Sequence, residues 1–351
     1  MRIGIPRELK PLEGRVGLIP AAAAELVRHG HQVFIEKGAG IKSGYSDEHF
    51  RAVGVEVLPS AAEVYGKSEM IVKVKEPIEA DLKLLRKEHL LFCYLHLAAL
   101  PQLTEVLKKI GLTAVAFETV EVDGRTPLLA PMSDIAGRLS IQVGTTLLHQ
   151  PNGGKGILLG GVPAAKRGRV VIVGAGVAGG ASAAVAAGIG AQVTVFDISR
   201  DRMERMRELG PNVTSLYPHK ADIAEAVKYA DIVVGAVLVT GEKAPHVVSA
   251  DMVRAMQPGS VVADISVDQG GCVETTKPTT WDKPTYVWEG VTHFTVTNMP
   301  GAVPRTSSQA LSAAITPYAL RLAAGGWRDY EPLRKGINVE AGKVVHPALL
   351  K

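Results

Sequence analysis

Two sets of residues in this sequence have types and spacings suited to chemistry. In the first, Gly174, Gly176 and Gly179 form a GxGxxG turn between a β-branched run at 170–173 and an Ala-rich segment, and Asp197 closes the next apolar run, VTVF. A strand, a glycine turn and a helix in that order aim backbone N–H groups at a pyrophosphate. An acid about 20 residues further on accepts hydrogen bonds from a ribose and repels a 2′-phosphate. The pattern predicts a dinucleotide site that prefers NAD to NADP.

The second set is charged. Arg15 lies in KPLEGRVGLIP, Lys75 ends MIVKVK and His96 follows LLFCYL, each where a strand ends or a loop begins. Ligands of open α/β sheets bind at the carboxyl ends of strands. An Arg with a Lys holds a carboxylate, one as a planar fork and the other as a point charge, and a histidine exchanges protons near neutral pH. Asp268, in VVADISVDQGG, suits acid–base work beside a bound nicotinamide or the capping of an Asx turn. For the other three the commoner use of such residues is as solvated or structural groups, and only convergence in space separates the readings.

Such residues need a scaffold. Apolar runs at 2–5, 32–36, 69–74, 90–95 and 113–118, with helical segments at 21–29, 80–87 and 102–109, predict a mostly parallel, doubly wound sheet. Runs at 169–173, 192–196, 231–236, 260–264 and 292–296 predict a second. Between them, Ile135, Leu139, Val143, Thr146 and Leu147 recur at helical spacing in 133–149, with Ser133 as N-cap, and 307–324 form another amphipathic helix. The fold class is α/β: two doubly wound Rossmann-like domains with a cleft between them, connected by long helices. The expected domains are a discontinuous substrate-binding domain, 1–127 with 304–351, and an NAD-binding Rossmann domain, 128–303. A hinge at the helices would close the cleft over substrate.

Composition excludes several other classes. The 351 residues are 46% hydrophobic and 21% charged with a net charge of +4, enough for two domains with a sizeable core. Basic and acidic residues are interleaved, so neither a nucleic-acid stripe nor a polybasic membrane anchor is expected. The uncharged run 170–196 is long enough to cross a bilayer, yet its six glycines and terminal VTVFD fit strand, turn and helix better. The sequence opens with the strand-like MRIGI and not with an apolar signal region, which makes the cytoplasm the expected location. Cys93 and Cys272 lack CxxC spacing, so no disulfide framework and no metal site are expected.

The segments KPLEGRVGLIP, IVKVKEP, YLHLA, LLAPMSDIAGR, GGVPAAKRGRVVIVGAGVAG, DIVVGAVL, DISVDQGGCVETTKPTT and VTNMPGAVPRTSSQAL follow one another in order through both halves. With them the chain resembles the alanine dehydrogenase family over nearly its whole length. The wider group includes the NAD-binding subunit of proton-translocating transhydrogenase. The resemblance implies an NAD-dependent dehydrogenase acting on a CH–NH2 group, with reversible oxidative deamination of L-alanine to pyruvate and ammonium. It implies that Arg15 and Lys75 bind the substrate carboxylate and keto oxygen, and that His96 and Asp268 are the catalytic acid–base pair. Beyond the three glycines, the cofactor-contacting segments would hold Ser133, Asp197, Arg202, Val237 and Leu238, then Ile265, Ser266, Val267 and Asp268, then Lys277, and finally Val296, Thr297, Asn298 and Met299. A homohexamer is implied as well. Two positions depart from the pattern: Pro218 and His219 stand where a serine is expected near the adenine, and Lys277 stands where an Arg is common. The alternatives are a transhydrogenase subunit, which passes hydride between cofactors beside a membrane-embedded partner, and a catalytically silent NAD-binding sensor. The sensor would not need Arg15, Lys75, His96 and Asp268, and the exchange of hydride between cofactors does not call for amino-acid chemistry.

Overall fold

A computed structural model of the chain describes residues 1–237 and 244–350. In order, its strands are β1 (Arg2–Ile5), β2 (Gln32–Glu36), β3 (Glu56–Leu58), β4 (Met70–Val72), β5 (Leu90–Cys93), β6 (Thr113–Ala116), β7 (Arg169–Val173) and β8 (Gln192–Phe196). There follow β9 (Val213–Leu216), β10 (Ile232–Gly235), β11 (Val261–Asp264), β12 (Thr285–Trp288), β13 (Val291–Phe294), β14 (Ile337–Glu340) and β15 (Lys343–Val344). The chain forms two compact units, Met1–Met132 with Gly301–Lys351, and Ser133–Pro300.

Each unit is built on one sheet. The first has the order β15-β14-β6-β5-β4-β1-β2-β3 and the second β12-β13-β11-β10-β7-β8-β9. Neighbouring strands are parallel except where β14 meets β6 and β15, and where β12 meets β13. Both sheets therefore contain the same six-strand pattern, β3-β2-β1-β4-β5-β6 and β9-β8-β7-β10-β11-β13. In this Rossmann-like winding the strand order reverses beside the first strand, and that reversal is where open α/β sheets bind ligands. The reversals fall between β1 and β4 and between β7 and β10.

Central strands covered on both faces must be apolar throughout, and β5 (LLFC) and β10 (IVVG) are buried at every position. Alternation along β7 sends Val170 and Ile172 into one core cluster and Val171 and Val173 into another. The uncharged run 170–196 is thus β7, the helix Val177–Ile189 and β8, with side chains packed inside one unit. Among the described residues no helix is long and apolar enough to cross a membrane. Cys93 and Cys272 are free thiols, both buried.

Three expectations are corrected. The strands expected at 69–74 and 90–95 end at Val72 and Cys93, which places Lys75 and His96 in the loops beyond them. The helix expected at 80–87 is a single turn, Glu79–Leu82. The Asp81 carbonyl receives the N–H groups of both Leu84 and Leu85, and the Arg86 N–H goes to the His89 ring, so the chain tightens instead of continuing as a helix. The helix expected at 133–149 runs from Ala130 to Leu147, which puts Ser133 inside its first turn and not at its cap. Pro131 occupies the second helical position, where a missing N–H is harmless.

Candidate substrate and dinucleotide sites

In the first unit, the loop from β1 to the helix Pro20–Arg28 carries Arg15. The residue is 3% exposed, and its guanidinium meets Glu13 as a fork, Nε to Oε1 at 2.7 Å and Nη2 to Oε2 at 2.6 Å. Its Nη1 lies 3.2 Å from Met132 Sδ. Burial works against the Arg15 charge, but the Glu13 hydrogen bonds and charge prevail and hold the guanidinium above its ordinary range. A permanent cation is thereby kept in a site from which water is largely excluded.

The residues after β4 alternate between two tasks. Lys73 is buried between Asp81, at 3.3 Å, and Glu8, at 3.6 Å, and Tyr65 donates to the same Asp81 oxygen at 2.8 Å. Two residues on, Lys75 is half-buried with its ammonium 3.8 Å from Glu76, whose other oxygen is bonded to Lys10. Burial above all holds Lys75 below the usual lysine range; Glu76 pulls the other way, and the Arg15 and Lys10 charges add to the depression.

After β5 the chain turns sharply. His96 has a φ of 50°, a left-handed conformation that costs a non-glycine residue energy. Glu118 holds it there by accepting the N–H groups of Leu95 at 3.1 Å and His96 at 2.6 Å. The imidazole stacks on the buried Tyr94 with ring centroids 5.8 Å apart, and the Tyr94 hydroxyl donates to the Leu128 carbonyl at 2.6 Å. Burial raises the Tyr94 hydroxyl pKa, and the nearby Arg15 cation works against that rise. Arg15, Lys75 and His96 lie at the same carboxyl end of one sheet, on the loops after the adjacent parallel strands β1, β4 and β5. Glu13, Glu76, Tyr94 and Glu118 belong to this arrangement and were not singled out in the sequence; the only trace was an acid two residues before Arg15 and another directly after Lys75.

In the second unit, the turn after β7 is shaped by steric limits. Gly174 has a φ of 98°, and a Cβ there would lie 2.6 Å from the Ala236 carbonyl oxygen. A Cβ on Gly179 would lie 1.7 Å from the Gly174 oxygen, whereas one on Gly176 would meet nothing within 4 Å. Asp197, buried at the end of β8, accepts the Ala175 N–H at 2.6 Å and the Ser199 N–H at 2.8 Å, and Arg202 stands 3.7 Å away. The carboxylate thus braces the glycine turn.

The remaining predicted cofactor residues follow β10, β11 and β13. Ser266 donates to the Val237 carbonyl at 2.7 Å, tying two of these loops together; Leu238 lies outside the described residues. Ile265, Ser266 and Val267 lead into a short turn, Val267–Gln269, that presents Asp268 as an exposed acid. Behind it, Asp264 is fully buried and gathers the segment by accepting from Ser266 N–H, Val273 N–H and the Thr276 hydroxyl. Burial raises its pKa, against the pull of those hydrogen bonds. Lys277 lies over the Tyr286 ring at 4.7 Å. Val296 and Met299 are buried, while Thr297 is exposed and Asn298 half-buried, its carbonyl accepting from the Trp281 indole at 2.9 Å. Ser133 is half-buried.

Comparison with known proteins matches this architecture to one family. Residues 4–136 fit the profile described as "Alanine dehydrogenase/PNT, N-terminal domain", and residues 140–347 the corresponding C-terminal domain. An alanine dehydrogenase from Methanococcus maripaludis is 48% identical over 358 residues, covering 100% of this chain and 96% of that protein. A solved L-alanine dehydrogenase superposes with a TM-score of 0.95 at 50% identity, covering 99% of this chain and 98% of that one. A transhydrogenase from Sinorhizobium meliloti superposes with a TM-score of 0.86 at 24% identity, over 99% of this chain and 100% of that one, a likeness of fold.

Proposed function

We propose that this chain, which belongs to the alanine dehydrogenase/PNT family, is an L-alanine dehydrogenase that uses NAD to convert L-alanine reversibly to pyruvate and ammonium. The observation that carries the reading is the placement of Arg15, Lys75 and His96 on the loops after β1, β4 and β5, beside the strand reversal of the first unit.

In this reading Arg15 and Lys75 hold the carboxylate and the keto oxygen, and the positive charge of Lys75 polarises the pyruvate carbonyl in the reductive direction. His96 exchanges the proton of the substrate oxygen. Asp268 accepts a proton from the amine or from the water that attacks the oxidised carbon. The second unit fits a dinucleotide: Gly176 leaves a direction open, the Val177–Ile189 helix offers first-turn N–H groups, and Asp197 stands at the strand end where a ribose is held. Bound NAD supplies the acceptor for the hydride leaving the α-carbon. Ser133, Arg202, the residues around Val237 and Ser266, Lys277 and the 296–299 segment complete its contacts. We assign the working form as a homohexamer in the cytoplasm.

The test is steady-state reduction of NAD and of NADP with a panel of L-amino acids. Alanine should be the fastest substrate and NAD the better acceptor. Arg15→Lys and Lys75→Gln should damage pyruvate binding and turnover while leaving NADH affinity intact. His96→Ala and Asp268→Ala should lower turnover by about 10²-fold or more. Impaired NADH binding with unchanged pyruvate kinetics would show that Arg15 and Lys75 serve the cofactor, and hydride exchange between nucleotides without an amino acid would favour the transhydrogenase reading.

A further inference from the structure

The loop that carries Arg15 has no regular secondary structure between β1 and the helix Pro20–Arg28, so its buried peptide groups need partners from elsewhere. Two serines supply them on either side of Arg15. Ser43 donates its hydroxyl to the Gly14 carbonyl at 2.8 Å, and Ser308, on the helix Pro304–Ala324, accepts the Val16 N–H at 3.0 Å. The two hydroxyl oxygens are 2.8 Å apart, and both residues are 0% exposed. A hydroxyl has one proton to give. Ser43 also stands 3.3 Å from the Pro304 carbonyl, but Gly14 is the nearer acceptor, and the arrangement that satisfies the most groups runs in one direction: Val16 N–H to Ser308, Ser308 to Ser43, Ser43 to Gly14.

One helical turn further, Ser312 repeats the arrangement, accepting the Ile19 N–H at 3.0 Å and donating to the Gly17 carbonyl at 3.4 Å. Close packing holds the loop against the same surface: a Cβ on Gly14 would sit 3.2 Å from Pro304 Cβ and 3.1 Å from Lys42 Cβ. The peptide units before and after Arg15 are therefore fixed by two residues 265 positions apart, Ser43 and Ser308, while the guanidinium itself is shaped by Glu13.

We propose that the Ser43–Ser308 pair positions Arg15, setting the direction in which its fork meets the substrate carboxylate. The inference rests on the reading of Arg15 as the carboxylate-binding residue. Neither serine touches substrate in this account, so their effect must pass through the fork.

That requirement defines the experiment. Ser43→Ala, Ser308→Ala and the double variant are made in the full enzyme and again on an Arg15→Lys background, with pyruvate KM, kcat and NADH affinity measured for each. In the native background each single variant should raise pyruvate KM roughly tenfold, since a buried partner is left unpaired and the fork loses its aim. The double variant should add little, because one chain of bonds is broken either way. NADH affinity should hold. On Arg15→Lys, where a point charge has no fork to aim, the serine effects should shrink to about twofold or less. If Ser308→Ala fails to fold, Ser43→Ala alone interrupts the chain and the same comparison stands. Unchanged pyruvate KM in the serine variants, or equal fold-changes on both backgrounds, would overturn the positioning role. A native pyruvate KM in Arg15→Lys itself would instead remove the substrate role of Arg15, and the inference with it.

Discussion

Lys75 and Glu76 are adjacent in sequence and opposed in effect. Burial holds the lysine below its usual range, and Glu76, itself held below the usual carboxylate range against its burial by Lys75 and Lys10, pulls it back. The Glu76 oxygen that faces Lys75 has no hydrogen-bond partner among the described residues, so its 3.8 Å approach to the ammonium is its main compensation. A lysine so placed is charged below its own pKa and loses its charge as pH rises through it. Pyruvate kcat/KM should then fall at a pH where an ordinary lysine is still charged, and Glu76→Gln, which removes the upward pull, should move that fall to lower pH. Comparing variant and native enzyme at matched pH, with saturating NADH and ammonium, cancels the titration of the substrates. A limb at the same pH in both would show that Lys75 is not the titrating charge. Lys75 was legible in the sequence as a cation at a strand end; Glu76 was not, because its importance lies in which way its two oxygens turn.

At the scale of elements, the glycine turn after β7 separates folding from binding. Gly179→Ala would drive a methyl against the Gly174 carbonyl, at 1.7 Å before relaxation, and should cost about 3 kcal/mol or more of stability. Gly176→Ala meets nothing within 4 Å and starts from a φ of −69°, which any residue adopts. It should fold with a near-native melting temperature and yet bind NADH weakly, because the methyl would stand where the pyrophosphate approaches. Thermal melts with NADH fluorescence titration distinguish the two, and native NADH affinity in a folded Gly176→Ala would place the pyrophosphate elsewhere. The strands of this turn were legible because β7 and β8 are apolar and flanked by glycines. β9 was not: VTSL buries only Val213 and lies at the sheet edge, so no pattern of two faces marks it. The first turn of the Ala130–Leu147 helix was also misplaced, since a serine followed by apolar periodicity looks like a cap even when the helix begins upstream at Ala130.

For the molecule as a whole, two Rossmann-like sheets were readable from the alternation of strands and helices, but the outer edge of the first sheet was not. β14 pairs antiparallel with β6 through Ile337 against Val115 and Val339 against Ala114, a contact that spans more than half the chain and has no local signal. Val339 and Asn338 are buried there, and Asn338 donates to the Thr119 hydroxyl at 2.6 Å, beside the Glu118 that holds His96. Removing residues 337–351 should therefore uncover the β6 edge and the core cluster that contains Val339. The lost burial of Ile337 and Val339 alone amounts to roughly 3–6 kcal/mol, a large part of what a unit of this size has to spare. The expected result is an early melting transition for the first unit and loss of pyruvate turnover. NADH binding should persist at low temperature, because the sheet built on β7 contains none of the deleted residues. Calorimetry paired with an NADH titration reads both halves of the claim: a truncated chain that melts like the native protein and still reduces pyruvate would show that the C-terminal strands are an ornament on the first sheet, and that His96 is held without them.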